Sequence, residues 1–152
     1  MPDGVAVRRV LAGIAQGAAA PVLAIAGPQS DWSLDGDGVV AERQGGGWVL
    51  NGVKRRVPFG AGAAQLLVAA RDGRDVALFL IEAGERNAIS GVTRQGAAGV
   101  DGRSYADIVF SACRVSGDAR LGVADAALEQ AADTTRIALC AEALGAMQAL
   151  LD

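Results

Sequence analysis

The chain has 152 residues, 51% of them hydrophobic and 4% aromatic, with a net charge of −3 and an isoelectric point near 4.9. That length suits one domain able to bury roughly two thirds of its unfolded surface, and a mean hydropathy of +0.29 draws its core from Ala, Val and Leu rather than from large anchors. Lys and Arg are scattered apart from 54-KRR-56, so the basic footprint of a nucleic-acid binder is missing, and the absence of histidine excludes Ser-His-Asp and Cys-His catalysis and most zinc sites.

In chain order, residues 5 to 18 predict a short helix, with Val7, Val10, Leu11 and Ile14 at three- and four-residue spacing and Pro21 ending the pattern. Arg8 and Arg9 sit inside the apolar part of this stretch rather than ahead of it, which is not the layout of a signal peptide. No apolar run reaches the ~18 residues needed to span a bilayer. From there to about residue 118 the signals are short strands: 39-VVAER-43, 48-WVLN-51, 53-VKRRV-57, 65-QLLVAA-70, 76-VALFLI-81 and 105-YADIVF-110. Asn51-Gly52 predicts a type I′ hairpin turn and Asp72-Gly73-Arg74 a second hairpin. Strands so spaced predict a mainly β fold, a small antiparallel barrel or sandwich with flanking helices. Residues 126 to 152 predict one long helix with a single glycine, Gly145. Its second half, Ile137 to Leu151, is apolar on every side apart from Glu142, and such a helix expects neighbours. The expected division is therefore a helical segment at 1–19, the barrel at 20–120 and the long helix at 121–152. Cys113 and Cys140, far apart and without a CxxC, read as reduced core residues of a cytoplasmic protein.

Several constellations invite a functional reading. The run 60-GAGAAQ-65 lacks the third glycine of a dinucleotide loop and is followed by a strand, so no helix N-terminus meets a pyrophosphate. The acidic groups of 31-DWSLDGD-37 and 82-EAGE-85 fit no metal-ligand spacing and read as solvated loops. Asp133 and Arg136 share one helix face, either as a simple ion pair worth roughly a few tenths of a kcal/mol or as a binding pair. Arg55 and Arg56, adjacent on a strand, are expected to point to opposite faces. Pro58 removes a ladder donor and marks an edge or an opening.

Taken in order, 23-LAIAGPQSDW-32, 47-GWVLNGVKRRVPFGAGAAQLLVAAR-71, 77-ALFLI-81, 101-DGRSYADIVFSACRV-115 and 133-DTTRIALCAEALGAMQALLD-152 resemble the middle of an acyl-CoA dehydrogenase. The resemblance covers about residues 20 to 152 and implies the family's middle β-barrel followed by the first helix of its C-terminal bundle. It also implies FAD held between barrel and bundle. The reaction it implies is loss of a proton α to a thioester carbonyl, with the β-hydrogen leaving as hydride to the flavin. By the same resemblance Ala26 and Ser30 lie against the flavin, with Ser30 also near the thioester, and 54-KRRVPF-59 is a flavin wall to which Arg56, Val57 and Pro58 contribute. Ala26 and Gly27 stand where threonine and glutamate are usual. Arg56 and Pro58 replace a tryptophan and a threonine of the family pattern "K.WITN".

The helix motif 133-DTTR-136 matches the family's contacts to the CoA part of the substrate, which assigns Asp133 and Arg136 to substrate binding. No catalytic residue and no metal ligand is assigned: the family's catalytic glutamate lies beyond the matched region. The expected function is thus an FAD- and acyl-CoA-binding, acyl-CoA dehydrogenase-like portion of an oxidoreductase acting on CH-CH bonds, truncated and inactive alone. The alternative is a non-catalytic assembly module acting through its C-terminal helix. Expected partners are acyl-CoA and either further copies of the chain or a fuller dehydrogenase subunit, with neither nucleic acid nor membrane.

Overall fold

The computed structural model describes residues 4–29, 34–82 and 89–151, with side chains from residue 7 onward. The chain runs α1 (Gly4–Ala15), β1 (Val22–Ala24), β2 (Val39–Gln44), β3 (Gly47–Pro58), β4 (Gln65–Asp72), β5 (Asp75–Glu82), β6 (Val92–Ala98), β7 (Ser104–Ser116), β8 (Arg120–Val123) and α2 (Asp125–Leu151). The fold is mainly β with a long C-terminal helix, as the strand signals and turn spacing predict. The last strand crosses residue 120 to reach Val123, and α1 stops at Ala15, ahead of Pro21, where Gly17 takes φ +67°.

The sheet follows the order β6-β7-β3-β2-β4-β5-β8, with β1 added beside β4. It curls around one core formed by inward residues of β2, β3, β4, β5 and β7, among them Val39, Leu50, Val68, Phe79, Ile108 and Cys113. No ladder joins β6 to β8 among the described residues, so the sheet is open rather than hydrogen-bonded into a closed barrel. Nor is it wholly antiparallel: β1 runs parallel to β4, and Val40 meets Arg71 in a parallel contact between β2 and β4. A second, smaller apolar cluster on the outer side of β4 and β5, made of Ala69, Val76, Ala124 and Leu128, seats the start of α2.

Asn51-Gly52 is not a turn. Residues 48–51 and 53–57 belong to the single strand β3, and the hairpin that β3 makes with β2 turns at Gly45-Gly46, between the paired Gln44 and Gly47. Gly52 instead takes φ +132° inside the strand, where a Cβ would collide with the Gly38 carbonyl oxygen. The Asp72–Asp75 hairpin closes as its sequence indicates, on Gly73-Arg74.

Two reciprocal bulges shape the β3–β7 ladder. From Leu50↔Cys113 to Gly52↔Phe110 the extra residue lies on β7, and from Lys54↔Ile108 to Val57↔Ala106 it lies on β3. At each a non-glycine residue takes positive φ, Ala112 at 49° and Arg56 at 48°. The bulge at Arg56 overrides strand alternation. Lys54 and Val57 both point inward, and Arg55 and Arg56 both lie exposed, so the two arginines do not separate to opposite faces. Pro58 is not at a free edge on the β7 side, since it pairs with Tyr105 there.

Phe59, just past the strand, has φ +57° and is 58% exposed. Asparagine tolerates this left-handed conformation far better than phenylalanine, and little packing is at stake. Phe59→Asn is expected to raise stability by about 0.5–1 kcal/mol, read as a higher urea midpoint with an unchanged slope.

Candidate functional site

The candidate site forms where β3 leaves its pairing with β2. Beyond Gly52 that side of the strand meets the segment following β1: Val53 N–H donates to Gly38 O at 2.6 Å and Arg55 N–H donates to Ala26 O at 2.8 Å. Ala26 is thereby set against Arg55, next in sequence to Arg56, Val57 and Pro58 at the end of β3. Ser30, also assigned to the cofactor, lies outside the described residues, as does its neighbour Asp31.

These residues present different groups. Arg56 and Pro58 expose their side chains, and Phe59 extends the same run. The Val57 side chain is 2% exposed and belongs to the core, so only its main chain faces this region, and its carbonyl already accepts the Gly60 N–H at 3.2 Å. The Ala26 carbonyl is taken by Arg55. The Arg56 N–H donates to Asp107 Oδ1 at 2.9 Å, and Arg55 Nη1 donates to Asp107 Oδ2 at 2.5 Å. These bonds, the Arg56 amide first, hold the Asp107 carboxyl below the usual carboxylate range.

Beneath the surface lies Lys54, which is fully buried. Its Nζ donates to Ile25 O at 2.7 Å and to Asp37 O at 2.6 Å, and so clasps both ends of the 25–37 segment to β3. Burial lowers its pKa to about 8, against the opposing pull of the Asp37 and Asp35 carboxylates. Lys54 stands at the lysine of the pattern "K.WITN", and the signal in the sequence for its burial is a lysine set between Val53 and Val57 in a strand.

Asp133 and Arg136 lie on α2 and pair with each other, Arg136 Nη1 to Asp133 Oδ1 at 2.6 Å, both exposed. The pairing is intrahelical, across i and i+3. Arg136 and Asp133 keep most of their surface open to a ligand, at 63% and 68%. Cys113 is buried in the core and its thiol pKa is pushed up by burial, whereas Cys140 departs from the sequence expectation: it stands exposed on α2. Both are free thiols.

Where β3 ends, Pro58 and Phe59 expose apolar side chains and Arg56 a cation, while the Ala26 carbonyl and the Arg56 and Phe59 amides are already bonded internally.

Lys54 yields a pH dependence. Its pKa of about 8 in the folded chain lies below the unfolded value of 10.5. Below pH 8 both states hold the proton and the cost of burying the charge is present in full. Between pH 8 and 10.5 the folded state releases the proton while the unfolded state keeps it, so this group makes stability rise with pH. The rise is ~3 kcal/mol at most. Urea unfolding of wild type and Lys54→Met near pH 7 and near pH 10.5 is expected to show wild type gaining about 2–3 kcal/mol on the variant across that interval. Tyr105, whose raised pKa acts in the opposite sense at the alkaline end, is common to both proteins and cancels in the difference.

No protein-family model matches this sequence, and no curated protein matches it either. Solved structures do match. They include a glutaryl-CoA dehydrogenase of Mycobacterium smegmatis in complex with FADH2 (22% identity, TM-score 0.66, over 76% of this chain and 30% of that one). An acyl-CoA dehydrogenase of Geobacillus kaustophilus aligns at 20% identity and TM-score 0.64, over 76% of this chain and 32% of its own. The ChsE4–ChsE5 complex of Mycobacterium tuberculosis aligns at 21% identity and TM-score 0.67, over 76% and 30%. The chain thus spans about a third of the length of the structures it matches. The fold of this chain is that of a segment of the acyl-CoA dehydrogenases, the sheet region followed by a long helix.

Proposed function

We propose that the chain is the FAD- and acyl-CoA-binding portion of an acyl-CoA dehydrogenase-like oxidoreductase acting on CH-CH bonds. The observation that carries this reading is the backbone bond that sets Ala26 against Arg55, next to the exposed Arg56 and Pro58, on a fold shared with dehydrogenases of which one was solved with FADH2. When bound, FAD supplies a hydride acceptor. In this reading Arg56 meets its anionic part, Pro58 and the Ala26 backbone pack against its ring system, and Ser30 joins them. Asp133 and Arg136 take the CoA part of the substrate. Asp107, the carboxylate that touches this surface, is engaged by Arg55 and Arg56 and so is not poised as a base. The role assigned to the chain by itself is therefore binding, without turnover. Two free thiols support a reducing, cytoplasmic setting, and among the described residues no helix is long and apolar enough to cross a membrane.

The test is the visible spectrum of the purified chain after incubation with FAD and dialysis. Retained flavin bands, weakened by Arg56→Ala about three- to tenfold in affinity, are the expected result; a colourless protein overturns the reading.

A specific feature of α2 favours a second reading, an assembly module. Leu128 is the buried residue of that helix, while Ile137, Leu144 and Leu151 are 72%, 65% and 83% exposed. With Cys140 and Met147 they fall at alternating three- and four-residue intervals, the spacing of a helix–helix seam. Light scattering is expected to give a dimer or larger, and Ile137→Glu with Leu144→Glu a monomer; a wild-type monomer at high concentration removes this reading.

A further inference from the structure

The bulge at Arg56 exists against two costs. A strand bulge leaves the extra residue's N–H outside the ladder, and a non-glycine residue at φ +48° is strained by about 1 kcal/mol or more. Asp107 answers the first directly, since its Oδ1 takes that N–H at 2.9 Å from the neighbouring strand, while its Oδ2 is held by Arg55. The same device recurs at the other bulge of the ladder. Ala112, at φ +49°, donates its N–H to Asn51 Oδ1 at 2.7 Å, again a side-chain oxygen of the opposite strand standing in for a missing ladder acceptor.

We infer that Asp107 is the positioning residue that fixes the β3 bulge and thereby decides which side chains of residues 56 to 58 line the candidate flavin surface. The inference rests on the FAD reading for its functional half and on geometry alone for its structural half. Were the extra residue absorbed and pairing made regular, Arg55 would stay outside and every side chain from Arg56 onward would change face. Val57 would leave the core and Pro58 would turn into it. Asp107 thus acts on the surface through the Arg56 amide, without itself being a ligand contact. The carboxyl's lowered pKa, caused first by that amide, agrees with the geometry.

The experiment combines amide hydrogen exchange at Arg56, read by NMR, with FAD titration, for wild type, Asp107→Ala, Asp107→Asn and Arg55→Ala. Asp107→Ala is expected to speed exchange of the Arg56 amide about tenfold and to weaken FAD binding by about three- to tenfold. Asp107→Asn keeps a carbonyl acceptor, as Asn51 does for Ala112, and is expected to stay within about twofold of wild type in both readings. Arg55→Ala removes the ion pair and leaves the amide bond, and should behave like wild type.

Unchanged Arg56 exchange in Asp107→Ala overturns the inference. So does an Arg55→Ala variant that matches Asp107→Ala, because the ion pair and not the amide would then hold the bulge. If Asp107→Ala does not fold, the wild-type chain decides: an NMR coupling across the hydrogen bond between the Arg56 amide nitrogen and the Asp107 carboxyl carbon is expected, and its absence overturns the inference. Faster exchange with unchanged FAD binding overturns the link from bulge to surface. Should the wild-type chain bind no FAD, the proposed function falls, and the positioning role of Asp107 is decided by the exchange data alone.

Discussion

Among the described residues Lys54 is the one charged side chain wholly withdrawn from water, and it must find acceptors where it sits. It finds them in the carbonyls of Ile25 and Asp37, two points twelve residues apart in sequence that its ammonium brings to one strand. Each carbonyl gains a charge-assisted bond, and the connection between β1 and β2 is thereby pinned across the open side of β3. The backbone bonds from Val53 to Gly38 and from Arg55 to Ala26 run along the same seam. Without the lysine the half-buried carbonyls of Ile25 and Asp37 would each lose a hydrogen-bond donor.

The second constraint is the pair of opposed bulges. A single extra residue in one strand of a ladder shifts everything beyond it by one face; an extra residue in the partner strand restores the count. Here the two lie on opposite strands of one ladder, Ala112 on β7 and Arg56 on β3, so pairing between β3 and β7 resumes after each and the core stays continuous from Leu50 to Val57. What the bulges alter is the short stretch at 55 and 56, where both arginines emerge on the outside. At each bulge a side-chain acceptor of the opposite strand, Asn51 for Ala112 and Asp107 for Arg56, takes the N–H of the residue at positive φ.

The long helix belongs to a different regime. It is seated at its beginning by Ala124 and Leu128 against Ala69 and Val76, and its remaining turns project from the sheet with large apolar side chains in water. Helical propensity and one anchor shape it, and among the described contacts nothing covers its second half. The helix itself forms as its sequence predicts, but the neighbours that its all-round apolar second half leads one to expect are not among the described contacts.

Much of the fold was legible in the sequence, and for identifiable reasons. The strands at 39–43, 65–70 and 76–81, the Gly73 turn and the long helix follow from periodicity, glycine placement and the absence of proline, which are properties of short windows. β6 was not legible: 92-VTRQGAA-98 has no clean alternation, and as the last strand in the sheet order it is mostly exposed and borrows its register from β7. Asn51-Gly52 was read as a turn because the same two residues that suit positive φ in a hairpin also suit a bulge, and only the partner strand distinguishes the two. The candidate site divides in the same way. The sequence by itself placed Ala26, Arg56 and Pro58 in one functional group by resemblance, and marked Asp133 and Arg136 as a pair by their spacing. The tertiary structure alone decided that Val57 faces the core, that Arg55 and Arg56 share the outside, and that Lys54 and Asp107 hold the strand between them. Those outcomes depend on which backbone groups are left unpaired when two distant segments meet, and no local pattern of residues encodes that.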